Sequence, residues 1–341
     1  MTVLPSTAPL AGVHVLDRCR ESVRPALAEA VGRLHPWVGE MAAYSFGWCE
    51  VGGTPVAASE GKGVRQALAV LGAEAVGGPI EAGTTAAVAV ELVHAFSLLH
   101  DDIMDGDTAR RRRPTVWKAY GTGPAVLAGD ALFALAVETL AAAPGSGGAV
   151  RLLSVALGDL VRGQADDLLF ATRPWTGPER VRPKEYRAMA GHKTGALLGC
   201  AAALGAALGG APPATVAALD RAGRDLGVAF QIVDDVLGIW GDPAVTGKPV
   251  HGDLRERKKT FPVLVALDTP VARRLAELLD SGEDFGAAAA LIEEAGGRSA
   301  ALREARRRIA VAEAALDAVP LEAGAAGELR SLLAFLVRRD L

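Results

Sequence analysis

The chain has 341 residues, half of them hydrophobic and only 5% aromatic, with 36 basic and 40 acidic side chains and a net charge of −4. That much apolar material excludes global disorder, and the slightly acidic balance excludes a general nucleic-acid binder, so any basic site has to be local. Ala, Leu, Gly, Val, Arg and Glu dominate, a mixture that favours helices over strands.

Apolar residues recur every three or four positions. The spacing predicts helices over about 14–34, 36–48, 61–78, 83–106, 123–143, 148–171, 182–209, 213–240, 260–268, 270–281, 284–295, 298–317 and 321–339. Gly and Pro punctuate them at Gly52–Pro55, Pro144–Gly148, Arg173–Pro178, Gly209–Pro213 and Gly241–Gly252, which are turn-sized connections rather than interdomain linkers. No alternating segment is long enough to seed a sheet. The expected architecture is all-α, one domain over 1–341, with chemical motifs in 61–260 and C-terminal helices in 261–341. Cys19, Cys49 and Cys200 fit neither metal-ligand spacing nor a disulfide framework. With no evident signal peptide and no uninterrupted apolar stretch near eighteen residues, the expectation is a cytoplasmic protein without a membrane span. Trp37, Trp48, Trp175 and Trp240 read as packing residues.

Two apolar helical runs end alike, His94-Ala-Phe-Ser-Leu-Leu-His-Asp101-Asp102 and Val228-Ala-Phe-Gln-Ile-Val-Asp234-Asp235. Adjacent carboxylates closing an apolar run are costly unless their charge is used. In Asp-Asp-Ile-Met-Asp, Asp101 and Asp105 share a helix face with Asp102 beside them, an oxygen-rich group suited to Mg²⁺ completed by phosphate. Cations stand where a diphosphate needs them: Lys62 and Arg65, the run Arg110–Arg113, Lys193 within Gly-His-Lys-Thr-Gly, then Lys248 and Lys258. Taken singly, each is an ordinary solvated charge.

These stretches, GKGVR, HAFSLLHDDIMDGDTARRRRPTVW, LAGDAL, GQADDL, GHKTG, FQIVDD and GDPAVTGKPVHGDLRERKKT, come in an order and spacing that resembles the trans-isoprenyl diphosphate (polyprenyl) synthases. The resemblance implies an isoprenoid synthase-type helical bundle around a deep apolar pocket, a homodimer, and three Mg²⁺ ions with bound diphosphate. It implies that Asp101, Asp102, Asp105 and Asp234 hold metal, with Asp235 completing the second motif. Arg110, Lys193 and Lys248 would hold the allylic diphosphate, and Lys62, Arg65, His94 and Arg111 isopentenyl diphosphate. Gln231 and the Thr194 carbonyl would face the developing carbocation, and Lys258 would help close the site. Phe96, five positions before Asp101 and followed by small Ser97, resembles the chain-length position of short-chain synthases. Geranylgeranyl diphosphate (C20) is the expected product, farnesyl diphosphate the shorter alternative.

The second motif departs from the family pattern at Gly238, where a third aspartate is usual, so a metal contact is expected to be missing or indirect. Asp242 lies beyond the predicted helix end. Two other readings compete. A class I terpene cyclase shares the aspartate-rich motif but has no use for Lys62, Arg65 and Arg111 together. A non-catalytic partner subunit would fit Gly238, yet the first motif is whole.

Overall fold

The computed structural model describes residues 8–56, 61–243 and 249–338. Its first helices are α1 (Ala8–Gly32), α2 (Pro36–Phe46), α3 (Val64–Glu74) and α4 (Ile80–Met104). A hairpin of β1 (Ala109–Arg110) and β2 (Arg113–Pro114) precedes α5 (Val116–Tyr120), α6 (Thr122–Ala141), α7 (Ser146–Thr172) and α8 (Pro183–Ala190). A π-helical turn, Gly191–Gly195, leads into α9 (Ala196–Leu208) and then α10 (Pro213–Trp240). The remaining helices are α11 (Gly252–Arg255), α12 (Phe261–Ala266), α13 (Ala272–Ser281), α14 (Phe285–Glu294), α15 (Gly297–Asp317) and α16 (Ala323–Arg338). The predicted helices recur with ends displaced by a few residues.

The expectation of no sheet is corrected at one point. β1 and β2 pair antiparallel, Ala109 with Pro114 and Arg110 with Arg113. The two residues between them, Arg111 and Arg112, have φ of 51° and 63°. A two-residue hairpin turn with positive φ at both positions ordinarily takes Asn-Gly, so two arginines gave no warning of it. Arg113 secures the hairpin: its Nη2 donates to the Cys49 carbonyl at 2.6 Å, and its guanidinium lies 4.3 Å from the centre of the Tyr44 ring.

The chain divides into two compact units. The first comprises Met1–Ser154, Cys200–Asp220 and Val319–Leu332. At its core α4 buries Ala86, Ala87, Ala89, Val90, Leu92 and Val93, and it packs on α3 and α6. A helix that is apolar on nearly every side has to be enclosed. α4 and α6 are each long and apolar enough to cross a membrane, but 67% of the apolar window of α4 is buried in the protein, as in a core helix. Close approach of backbones explains part of the Gly and Ala content: a Cβ at Gly205 of α9 would stand 2.9 Å from the Ala73 nitrogen of α3.

The second unit comprises Val155–Gly199, Arg221–Ala318 and Leu333–Leu341. Here a Cβ at Gly163 of α7 would lie 2.6 Å from the Lys193 Cα, so α7 runs directly against the π-helical turn. α15 packs on α12, and its Glu304 carboxylate binds Arg308, whose other nitrogen reaches Asp225 of α10 at 2.7 Å.

Candidate active site

In the first unit, helical spacing separates the three aspartates of the first motif. Asp102 turns inward, is 3% exposed, and accepts from Arg110 Nε at 2.8 Å and Nη2 at 2.6 Å. Asp101 stays partly accessible and Asp105, the C-cap of α4, is exposed. Of the three carboxylates, Asp102 is thus buried against Arg110, while Asp101 and Asp105 are more accessible. Among the described residues, no three His, Cys, Asp or Glu side chains gather into a ready-made metal site. The donor chemistry still fits Mg²⁺, which takes hard oxygens, retains several waters, and usually needs one or two carboxylates beside substrate phosphates.

The basic side of this unit is assembled from distant segments. Arg65 Nη1 lies 3.2 Å from His94 Nε2; arginine can only donate, so the imidazole accepts there and carries its proton on Nδ1. Burial holds the His94 pKa well below its ordinary value, and Arg65, Arg111 and Arg110 lower it further, so His94 is neutral. A Cβ at Gly61 would lie 2.5 Å from Arg111 Nη2, so the glycine preceding Lys62 lets the arginine turn come in against it. His94, Asp102, Arg110 and Arg111 line one pocket together with Tyr44 and Arg113. Sequence reasoning missed Tyr44, which carries no motif, and did not single out Arg113 within the run of four arginines. Phe96 meets His100 edge-on at 4.8 Å and the Phe133 ring of α6 at 5.6 Å, while the Ser97 hydroxyl donates to the His94 carbonyl at 2.9 Å.

In the second unit, Asp234 is partly accessible and Asp235 is 4% exposed. A hydrogen-bonded chain fixes the buried one: the Thr194 hydroxyl donates to Gln231 Oε1 at 2.8 Å, Gln231 Nε2 donates to Asp235 Oδ1 at 3.3 Å, and the Phe261 N–H donates to Asp235 Oδ2 at 2.8 Å. Burial pushes the Asp235 carboxyl up to about 8, and the charge of Asp253 contributes to the rise. Lys193 Nζ meets Asp167 Oδ2 at 2.5 Å, which gives the second aspartate of GQADDL a partner that sequence alone did not identify. Lys258 Nζ lies 2.5 Å from Glu256 and is about half exposed. Lys248 lies outside the described residues. Trp37 is 47% exposed, which corrects its reading as a packing residue. It is the second residue of α2, where its backbone N–H donates to His35 Nδ1.

In the first unit, paired aspartates near the end of α4 stand beside arginines brought together from separate segments, an arrangement suited to a diphosphate and a divalent metal. The family model for polyprenyl synthetase matches residues 52–294. A geranylgeranyl diphosphate synthase of Mycobacterium tuberculosis is 45% identical over 319 residues, 90% of each chain. A (2E,6E)-farnesyl diphosphate synthase of Mycobacterium bovis is 43% identical over 338 residues, 96% of this chain and 93% of that one. Among solved structures, a polyprenyl synthetase from Streptomyces coelicolor superposes with a TM-score of 0.89 at 47% identity, covering 95% of this chain and 98% of that chain. A geranylgeranyl pyrophosphate synthase from Corynebacterium glutamicum, complexed with calcium and isoprenyl diphosphate, gives a TM-score of 0.76 at 30% identity over 95% of this chain and 96% of that chain. The chain belongs to the polyprenyl synthetase family, with the isoprenoid synthase fold, and is a short-chain trans-prenyltransferase.

Proposed function

We propose that the chain, acting as one catalytic domain, condenses isopentenyl diphosphate with allylic diphosphates to give geranylgeranyl diphosphate (C20) and pyrophosphate. The product length is supported by the aromatic pair Phe96 and Phe133, 5.6 Å apart, with Phe96 five positions before Asp101 and small Ser97 beside it.

In this reading the accessible carboxylates Asp101, Asp105 and Asp234 would hold Mg²⁺, expected as three ions, while buried Asp102 keeps Arg110 and buried Asp235 keeps Gln231 in place. When bound, the metal would supply neutralisation of charge on the diphosphate. Arg110, Lys193 and Lys248 hold the allylic diphosphate as its C–O bond breaks. Lys62, Arg65 and Arg111 hold isopentenyl diphosphate through forked and point charges suited to phosphate. Neutral His94 adds a hydrogen bond there without adding charge. The Gln231 and Thr194 dipoles face the allylic cation, and apolar walls keep water from it. The electron pair of the isopentenyl double bond forms the new carbon–carbon bond, and the released pyrophosphate takes the surplus proton. Lys258, half exposed on its loop, closes over the bound substrates.

A homodimer is part of the proposal, supported by Val126 and Leu127, which α6 leaves 39% and 50% exposed. Cytoplasmic residence is supported by the buried thiols of Cys19, Cys49 and Cys200, none of them in a disulfide. The test is to replace Phe96 with Ala and size the products. Products longer than those of the parent chain are expected, and an unchanged distribution would remove the length argument. Omitting isopentenyl diphosphate separates this reading from a cyclase, which consumes the allylic substrate alone.

A further inference from the structure

We propose that Arg113 is a positioning residue for isopentenyl diphosphate: anchored on the end of α2, it holds the turn through Arg111 and Arg112 in a conformation that side chains disfavour, and so keeps Arg111 beside Gly61 and His94. The inference rests on the reading of this site given above and adds how the arginine turn is held in place.

The turn is poorly suited to hold itself. β1 and β2 are two residues each, and Arg111 and Arg112 between them have φ of 51° and 63°, a region that glycine and asparagine occupy far more readily than arginine. Arg110 and Arg113 are paired directly across the hairpin, where like charges repel. Each therefore needs an anchor of its own. Arg110 has the Asp102 carboxylate.

Arg113 has the end of α2 and the loop that follows it. Its Nη1 donates to the Tyr44 carbonyl at 3.4 Å, and its Nη2 donates to the Cys49 carbonyl at 2.6 Å and to Glu50 Oε2 at 3.1 Å. The Tyr44 ring faces the same guanidinium. Tyr44 is 5% exposed and completes the clamp by donating its hydroxyl to the Pro114 carbonyl at 2.8 Å, one residue along β2. The anchor is itself fixed: Glu40 of α2 accepts from the Gly52 N–H at 2.8 Å and from the Tyr120 hydroxyl at 2.9 Å, and Cys49 bridges Pro55. Both terminal nitrogens of Arg113 are thus engaged by protein groups, which leaves the neighbouring arginines to meet the ligand. Arg111 packs against Gly61, and its charge bears on His94.

Isopentenyl diphosphate and, separately, inorganic pyrophosphate are titrated calorimetrically into the full chain in EDTA, so that metal plays no part. Arg113→Met should weaken isopentenyl diphosphate binding about tenfold, the scale of one hydrogen bond to a charged group, and pyrophosphate should follow in parallel. Arg113→Lys keeps the charge but loses the fork that spans two carbonyls and a carboxylate, so it should recover little. Arg112→Gly puts the favoured residue at the second turn position. Added to Arg113→Met, it should restore most of the affinity, because a relaxed turn needs less anchoring. In steady-state prenyl transfer, Arg113→Met should raise KM for isopentenyl diphosphate more than it lowers kcat.

Unchanged affinity in Arg113→Met, full affinity in Arg113→Lys, or no recovery on adding Arg112→Gly would overturn the proposal. Thermal unfolding shows which variants are folded. If Arg113→Met does not fold, Tyr44→Phe carries the test: it removes only the hydroxyl bond to Pro114 and should weaken binding about threefold, and no weakening would overturn the proposal. Prenyl transfer by the parent chain is measured alongside. If it is absent while the affinities shift as stated, the functional reading fails and this inference stands. If it is present while the affinities stay unchanged, this inference alone fails.

Discussion

Replacing Arg110 with Leu removes the partner of a carboxylate the fold has taken out of water. Asp102 is 3% exposed, and burial pushes its carboxyl above the ordinary range even with Arg110 holding it down. Without the guanidinium, leaving the charge buried and unpaired would cost about 3–5 kcal/mol. Taking up a proton instead sets a ceiling: from an ordinary value near 3.9 to pH 7, at about 1.4 kcal/mol per unit, the cost is about 4 kcal/mol. The Arg110 side chain is 38% exposed and keeps part of its hydration, so the expected loss falls at the lower end, about 3 kcal/mol. The sign with pH follows from proton binding. In the variant, Asp102 keeps its proton when folded and loses it when unfolded, so stability falls as pH rises from about 4 towards the raised folded value. Urea unfolding of the parent, Arg110→Leu, and Arg110→Leu with Asp102→Asn, from pH 4.5 to 7.5, reads this directly. The deficit of the single variant should grow across that range, and the double variant should recover most of it. A deficit below about 1 kcal/mol that is flat with pH would refute the account of Asp102 as a buried charge depending on Arg110.

Other expectations are simpler. Gly205→Ala places a methyl group against the Ala73 backbone and should destabilise the protein by about 1–3 kcal/mol in thermal or urea unfolding, whereas Gly324→Ala, which meets nothing within 4 Å, should be neutral or slightly stabilising. Lys259 is buried with its Nζ 3.1 Å from the Trp175 ring centre, and burial lowers its pKa to about 8. The unfolded chain therefore binds the proton more tightly, and stability should rise between about pH 8 and 10.5, a slope that Lys259→Met should flatten. Removal of divalent metal with EDTA should abolish prenyl transfer and leave helix content by circular dichroism unchanged, since the described core is packed from apolar side chains.

The helical part of this fold was legible because its punctuation is chemical. α10 begins after Gly-Gly-Ala-Pro, with Pro213 as its first residue, and stops before Gly-Asp-Pro, and the predicted 213–240 coincides with the observed helix. The segment 182–209 also read as one helix, interrupted by the small residues of Gly191–Gly195, but nothing local said that the interruption is a π-helical turn. It lies where the α7 backbone at Gly163 presses on Lys193, a tertiary contact that no local pattern encodes. The hairpin was hidden for the opposite reason, since its turn residues are arginines that local propensity would place anywhere else. At the candidate site, the cations and aspartates could be named from the sequence, but their burial could not. Helical spacing alone gave no way to know that Asp102 and Asp235 turn inward while Asp101, Asp105 and Asp234 stay accessible.

The central claim is a condensation that ends at twenty carbons. Incubating the purified chain with Mg²⁺, labelled isopentenyl diphosphate and C5, C10 or C15 allylic diphosphates, then sizing the dephosphorylated products, tests it most directly. Label should enter the product from each accepted starter and accumulate at C20. No incorporation of label, or an allylic substrate consumed equally well without isopentenyl diphosphate, would contradict the account.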